Sequence, residues 1–108
     1  MCGIAGGISA DPARLREAVE SMCDQMIARG PDDGGVALID AHDSCVALGN
    51  RRLAIIDPSP AGHQPMGDNA RGMTVVFNGM IYNYRELREH LIGEGEHFAS
   101  RCDTEVVL

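Results

Sequence analysis

The stretch Cys2-Gly3-Ile4-Ala5-Gly6-Gly7-Ile8 is apolar and rich in glycine, and it is followed at once by Asp11-Pro12, a helix-starting pair. The first segment reads as a buried strand whose Gly3, Gly6 and Gly7 let other backbone approach closely. The second opens a helix: Asp11 suits the N-cap and Pro12 the first helical position. Leu15, Val19, Met22, Cys23, Met26 and Ile27 then recur at helical spacing to about Arg29. Gly30-Pro31 stops that helix, and Asp32-Asp33-Gly34-Gly35 reads as a turn-rich loop.

Further along, Val36–Ile39, Cys45–Leu48 and Leu53–Ile56 read as extended, with residues 40–44 as a hairpin connection. Residues 57–71 hold three of the five prolines together with Gly62 and Gly67, and they show no periodicity, which marks an ordered functional loop or a lid. Met73–Phe77 reads as another buried strand, broken by Asn78-Gly79, a pair that readily turns with positive φ. Tyr84, Leu87, His90 and Leu91 form one face of a short helix ending near Gly93, and Asp103 and Thr104 offer caps for a helix over 105–107. A helix stopping after one turn cannot stand alone, so the natural domain is expected to continue past Leu108.

The 108 residues, 44% hydrophobic and 23% charged, suit one soluble globular unit. A net charge of -7 without any basic cluster disfavours nucleic acid and anionic membranes as partners. No leader-like or spanning apolar run is present, which points to the cytoplasm. The four cysteines, Cys2, Cys23, Cys45 and Cys102, lie far apart without Cys-x-x-Cys spacing, so neither a zinc ribbon nor a disulfide framework is suggested and no metal site is expected.

Cys2 has a chemistry of its own. Removal of Met1 leaves a thiol, with an ordinary pKa of about 8.5, and an α-amine, at about 7.7 to 8.0, on one residue. The amine then takes the thiol proton as sulfur attacks a carbonyl, and no histidine is required. The same position also suits a small buried hydrophobe.

Six blocks give these features an order: Cys2-Gly3-Ile4-Ala5-Gly6, Arg29-Gly30-Pro31-Asp32, Arg52-Leu53-Ala54-Ile55-Ile56-Asp57, Gly62-His63-Gln64-Pro65-Met66, Asn78-Gly79-Met80-Ile81-Tyr82-Asn83 and Asp103-Thr104-Glu105. Over essentially the whole chain they resemble the glutaminase domain of the glutamine-hydrolysing asparagine synthetases, class II amidotransferases of the N-terminal nucleophile hydrolase group. The resemblance implies an α+β fold, a four-layer αββα sandwich of which residues 1–108 form roughly the first half. It implies glutamine hydrolysis to glutamate and ammonia as the part of such a synthetase that supplies ammonia. A non-catalytic assembly module of the same fold, or the amidotransferase part of an enzyme with another acceptor, are the competing readings. The synthetase domain that uses ATP and magnesium, and would be the partner of this one, has no match in these residues; a homodimer is among the assemblies the resemblance allows.

Carried over residue by residue, Cys2 resembles the nucleophile, and Asn78 and Gly79 the oxyanion hole through a side-chain amide and a backbone N–H. Arg52 resembles the arginine that grips the substrate carboxylate, with Leu53, Ala54, Ile55 and Ile56 lining the same pocket largely through backbone. Asp103 resembles the acid paired with the substrate ammonium, although read from sequence alone it is also a helix cap, as Asn78-Gly79 is also a turn. Arg29 and Asp32 fall in a loop that braces the site, and His63 and Gln64 in the proline-rich lid. Three positions depart from the family's pattern: Met80 stands in the pocket where Glu is usual, Asn50 where an aromatic or histidine is common, and Cys102 where serine is usual. Intact-mass measurement with N-terminal sequencing should find Cys2 as the first residue of the mature protein; retained Met1 would lock its nitrogen in a peptide bond and remove the base.

Overall fold

The computed structural model describes residues 1–108. Its centre is a three-stranded antiparallel sheet of β1 (Gly3–Ser9), β2 (Asp33–Ala41) and β3 (Ser44–Arg52), in the order β1-β3-β2. One helix, α1 (Pro12–Gln25), covers one face. It forms as the sequence predicts: the Asp11 carboxylate accepts the Arg14 N–H at 3.0 Å, and Pro12 occupies the first turn, where no N–H is missed. Leu15, Val19 and Cys23, each four residues apart, lie in one buried stripe against Cys45 and Ala47, with Ala5, Met26, Val36 and Leu38 packed around them. Gly49, central in this contact, has no room for a side chain. A Cβ there would stand 2.6 Å from Cys23 Sγ and 2.7 Å from Val19 Cγ1.

Several boundaries differ from the sequence expectation, each for a physical reason. The helix ends at Gln25 rather than near Arg29, and the chain closes in a turn whose Gly30 N–H reaches the Met26 and Ile27 carbonyls, while the Gly30 carbonyl accepts Arg51 Nε at 3.0 Å. Asp33-Gly34-Gly35 is strand, not loop, because β3 offers a complete ladder down to the pair Asp33↔Arg52. The hairpin turn is only His42-Asp43, with His42 at φ +54°. Leu53–Ile56 is not a strand. Beyond Arg52 neither neighbour continues, since β2 begins opposite Arg52 and β1 begins at Gly3 opposite Arg51.

β1 is buried on one face only. Gly3, Ala5 and Gly7 turn toward α1, whereas Ile4 and Ile8 on the other face are 50% and 72% exposed. These residues therefore show one helix layer on one sheet, not a four-layer sandwich.

The rest of the chain is lightly packed. β4 (Met66–Asp68) and β5 (Met73–Val75) make a two-stranded ribbon turned at Gly72, φ +67°, so the predicted strand over 73–77 is shorter and only partly buried. Asn78 and Gly79 do not adopt positive φ; Gly79 sits in a bend against the Phe77 ring. The second helix, α2 (Tyr84–Gly93), buries no residue fully. Tyr84, Arg88 and Leu91 form its inner face, and Leu87 and His90 are exposed, because Arg88 stacks on Phe98 and donates to the Ser100 carbonyl. Asp103 and Thr104 do not cap a helix but are the two buried residues of a 3₁₀ turn, Asp103–Val107, with their side chains bonded elsewhere. No helix is long and apolar enough to cross a membrane.

Overpacking at the helix–sheet contact gives a direct test. Gly49→Ala should destabilise the protein by about 1–3 kcal/mol in urea or thermal unfolding, whereas Gly93→Ala, where a Cβ meets nothing within 4 Å, should cost nothing and gain helix propensity.

Candidate active site

A cleft of about 390 Å³ opens where the sheet's Cys2 end meets the 77–80 segment and the 3₁₀ turn. That volume suits a small metabolite. Cys2 stands on its floor, half-buried, just ahead of the first residue of β1. Its Sγ accepts the Leu53 N–H at 3.3 Å, and the thiol points back to the Leu53 carbonyl at 3.8 Å. The Cys2 carbonyl accepts Arg29 Nε at 3.3 Å, and the Asp32 carboxylate accepts the Ala54 N–H at 2.9 Å. Arg29 and Asp32 thus hold both sides of the Cys2–Leu53 contact without entering the cleft.

Arg52, Leu53, Ile55 and Ile56 line the same cleft, as do Asn78, Gly79, Met80 and Asp103. Ala54 does not. With its N–H committed to Asp32, it lines a separate groove with Asp33, Ser59 and His63. The Asn78 side-chain amide makes no hydrogen bond within the chain, and Met80 is half exposed at the rim. Met1 and the 91%-exposed Tyr82 also edge the cleft.

Two buried charges face this space. Arg52 is 5% exposed and makes no ion pair with any carboxylate; its guanidinium donates to the Asp57 carbonyl and packs against Gly62, where a Cβ would collide with it. Asp103 is 4% exposed, and its Oδ2 accepts the Ile81 N–H at 3.0 Å without a cationic partner. A buried charge is costly unless something of opposite sign approaches it. One unpaired cation and one unpaired anion in a single cleft are complementary to a ligand carrying both a carboxylate and an ammonium.

Asp57 is a site residue that sequence reading passed over. Its carbonyl holds Arg52, while its carboxylate accepts N–H groups from Ser59 at 3.0 Å and Arg101 at 2.8 Å. The Ser59 side chain, then the Arg101 and Ser59 backbone N–H groups, hold its pKa down at about 2 against the opposing effect of burial, with a further contribution from Arg52. The one available signal was Asp57-Pro58-Ser59, the pattern of an aspartate bonding its own backbone two residues on. Gln64, Cys102 and Thr104 also line the cleft.

His63 Nδ1 sits 2.9 Å from Asp33 Oδ2, and no three His, Cys, Asp or Glu side chains converge as metal ligands.

The family model for the glutamine amidotransferase domain matches residues 1–108, and the chain belongs to that family. Among curated proteins it is 38% identical to a putative glutamine-hydrolysing asparagine synthetase 2 of Methanocaldococcus jannaschii over all of this chain and 23% of that protein. It is 40% identical to the glutamine-hydrolysing asparagine synthetase 1 of Bacillus subtilis, again over the whole chain and 17% of the relative, and 35% identical to Amidase chry2 of Gibberella zeae at the same coverage. The chain thus spans about a fifth of the length of these relatives. No solved structure matches it.

The pH dependence of stability follows from Asp57. Its folded pKa, about 2, lies below the ordinary 3.8, so the stabilisation is fully present above 3.8 and is lost as pH falls through about 2. Asp57→Asn should lower stability at neutral pH and flatten that part of the acid-unfolding curve; an unchanged curve would show that the carboxylate contributes nothing.

Proposed function

We propose that the cleft hydrolyses the side-chain amide of glutamine, and that the ammonia released serves a synthetase domain of the kind the longer relatives are named for. The observation that carries this reading is the pairing of unpartnered Arg52 and Asp103 in the cleft that also holds Cys2 and Asn78-Gly79. Glutamine's α-carboxylate would meet the planar guanidinium of Arg52 and its ammonium the carboxylate of Asp103. That orientation leaves the carboxamide for Cys2.

Once Met1 is removed, the Cys2 amine takes the thiol proton while sulfur bonds to the amide carbon. Negative charge collects on the amide oxygen, where the Asn78 side-chain amide and the Gly79 N–H would receive it. The carbon–nitrogen bond then breaks, the protonated amine returns its proton to the departing nitrogen, and ammonia leaves a thioester. Water, deprotonated by the same amine, cleaves the thioester to give glutamate and the free thiol. Met80 brings no charge to the ammonium, so in this reading Asp103 is its one anionic partner.

The uncovered β1 edge of the sheet's outer face, where Ile4 and Ile8 are exposed while the neighbouring Asn50 is buried under the Gln64 loop, supports a second proposal. Residues 1–108 are the N-terminal part of the amidotransferase domain, and a further sheet packs on that face to complete the αββα sandwich.

Glutaminase assays test the chemistry. Cys2→Ala should abolish ammonia release, and Asn78→Ala should lower kcat by about 10²- to 10³-fold. Arg52→Ala should raise KM for glutamine far more than it slows hydrolysis of a simple amide; equal losses on both substrates would refute the carboxylate role. A chain freed of Met1 that releases no ammonia from glutamine would overturn the reading as a whole.

A further inference from the structure

Gln64 lies in the loop between β3 and β4, is 3% exposed, and uses its side chain to join three segments distant in sequence. Its Oε1 accepts the Phe77 backbone N–H at 2.7 Å and Asn50 Nδ2 at 3.3 Å, while its Nε2 donates to Thr104 Oγ1 at 3.1 Å. The orientation of the amide is fixed by its partners. A backbone N–H only donates, so the atom facing Phe77 must be the oxygen, and the nitrogen then faces a hydroxyl able to accept.

Each partner adjoins a residue of the cleft. Phe77 immediately precedes Asn78, Thr104 immediately follows Asp103, and Asn50 stands two residues before Arg52 on β3, hence on the same face. Asn50 and Thr104 are themselves fully buried, so their two bonds form where water does not compete and a lost partner is not replaced, while the bond to Phe77 is partly buried. The 76–80 segment has no strand partner of its own, and the Gln64 bond is the only hydrogen bond the structure gives to the Phe77 N–H.

We propose that Gln64 is a positioning residue: one buried carboxamide sets the distance between the oxyanion donors at Asn78-Gly79, the ammonium partner Asp103 and the carboxylate partner Arg52. The proposal rests on the glutaminase reading and deepens it. Gln64 acts on the reaction through its three neighbours and transfers no proton.

The test compares Gln64→Met, which keeps length and loses all three bonds, with Thr104→Val, which keeps shape and loses the Gln64 bond together with the weaker one from Cys102 Sγ. Both are assayed for ammonia release after Met1 removal, with active sites counted by Cys2 labelling with a glutamine-like diazoketone. Thr104→Val should raise KM for glutamine about tenfold through Asp103 while kcat stays within about twofold. Gln64→Met should raise KM similarly and also lower kcat by about 10- to 100-fold per labelled site, since a displaced oxyanion donor costs up to what a deleted one does. The double variant should stay close to Gln64→Met alone in KM, because the Gln64–Thr104 bond that both remove counts only once. A purely structural role predicts fewer labelled sites with kcat per site and KM unchanged, and that result would overturn the proposal. If the unsubstituted chain releases no ammonia, the glutaminase reading falls and this proposal with it; if it does and Gln64→Met matches it per site, this proposal alone falls.

Discussion

The pairing of β1 with β3 in a single register governs the rest of the site. Gly3 opposes Arg51, so Cys2, one residue earlier, arrives where β3 runs out, with its sulfur against the Leu53 backbone. Side chains alternate along a strand, so a slip of one residue would send Gly3, Ala5 and Gly7 away from α1 and bring Ile4 and Ile8 beneath it. Gly7 has no room for that exchange: a Cβ at this position would lie 2.9 Å from Leu15 Cδ1. The small residues on the inner face of β1 thus fix both how the helix seats and where the thiol lies.

Around that fixed point the chain assembles its polar groups by backbone-to-side-chain bonds rather than by ion pairs. Asp57 binds Arg101 with its carboxylate and Arg52 with its carbonyl, Asp32 binds Ala54, Arg29 binds Cys2, and Asp103 binds Ile81. The ion pairs of the protein lie elsewhere, mostly on exposed side chains such as Arg71 with Asp68 and Glu96. This division leaves Arg52 and Asp103 held in place without an ion pair of their own. Their charges are therefore available to a ligand without first breaking a bond to each other.

What could be read from sequence divides along the same physical line. Helix α1 was legible because its cap, its first-turn proline and its apolar stripe are all local to Asp11–Cys23. The ends of β2 and β3 were not, because strand length is decided by whether a partner backbone is present: Asp33-Gly34-Gly35 gained one from β3, and Leu53–Ile56 had none. The inner face of α2 was misread because Arg88, polar by composition, turns inward onto Phe98 while Leu87 does not. The residues the motif blocks assigned to the pocket gather in one cleft, with Ala54 the exception since its N–H is committed to Asp32. The reach of Asp57 to Arg101 and the Asn50–Gln64–Thr104 connection were invisible, for such links depend on which distant segments meet and leave no periodic trace.

Met80 has one more implication. A thioether at the rim neither gains nor loses a proton, and it neither attracts the ammonium of a correct ligand nor repels the carboxylate of a wrong one. On the proposed glutaminase reading, discrimination among amino acids would then fall to geometry: the pocket would work as a gauge, with Arg52 and Asp103 as its two jaws and Cys2 marking how far a side chain must reach. A shorter carboxamide, held by the same jaws, would leave its carbon short of the sulfur.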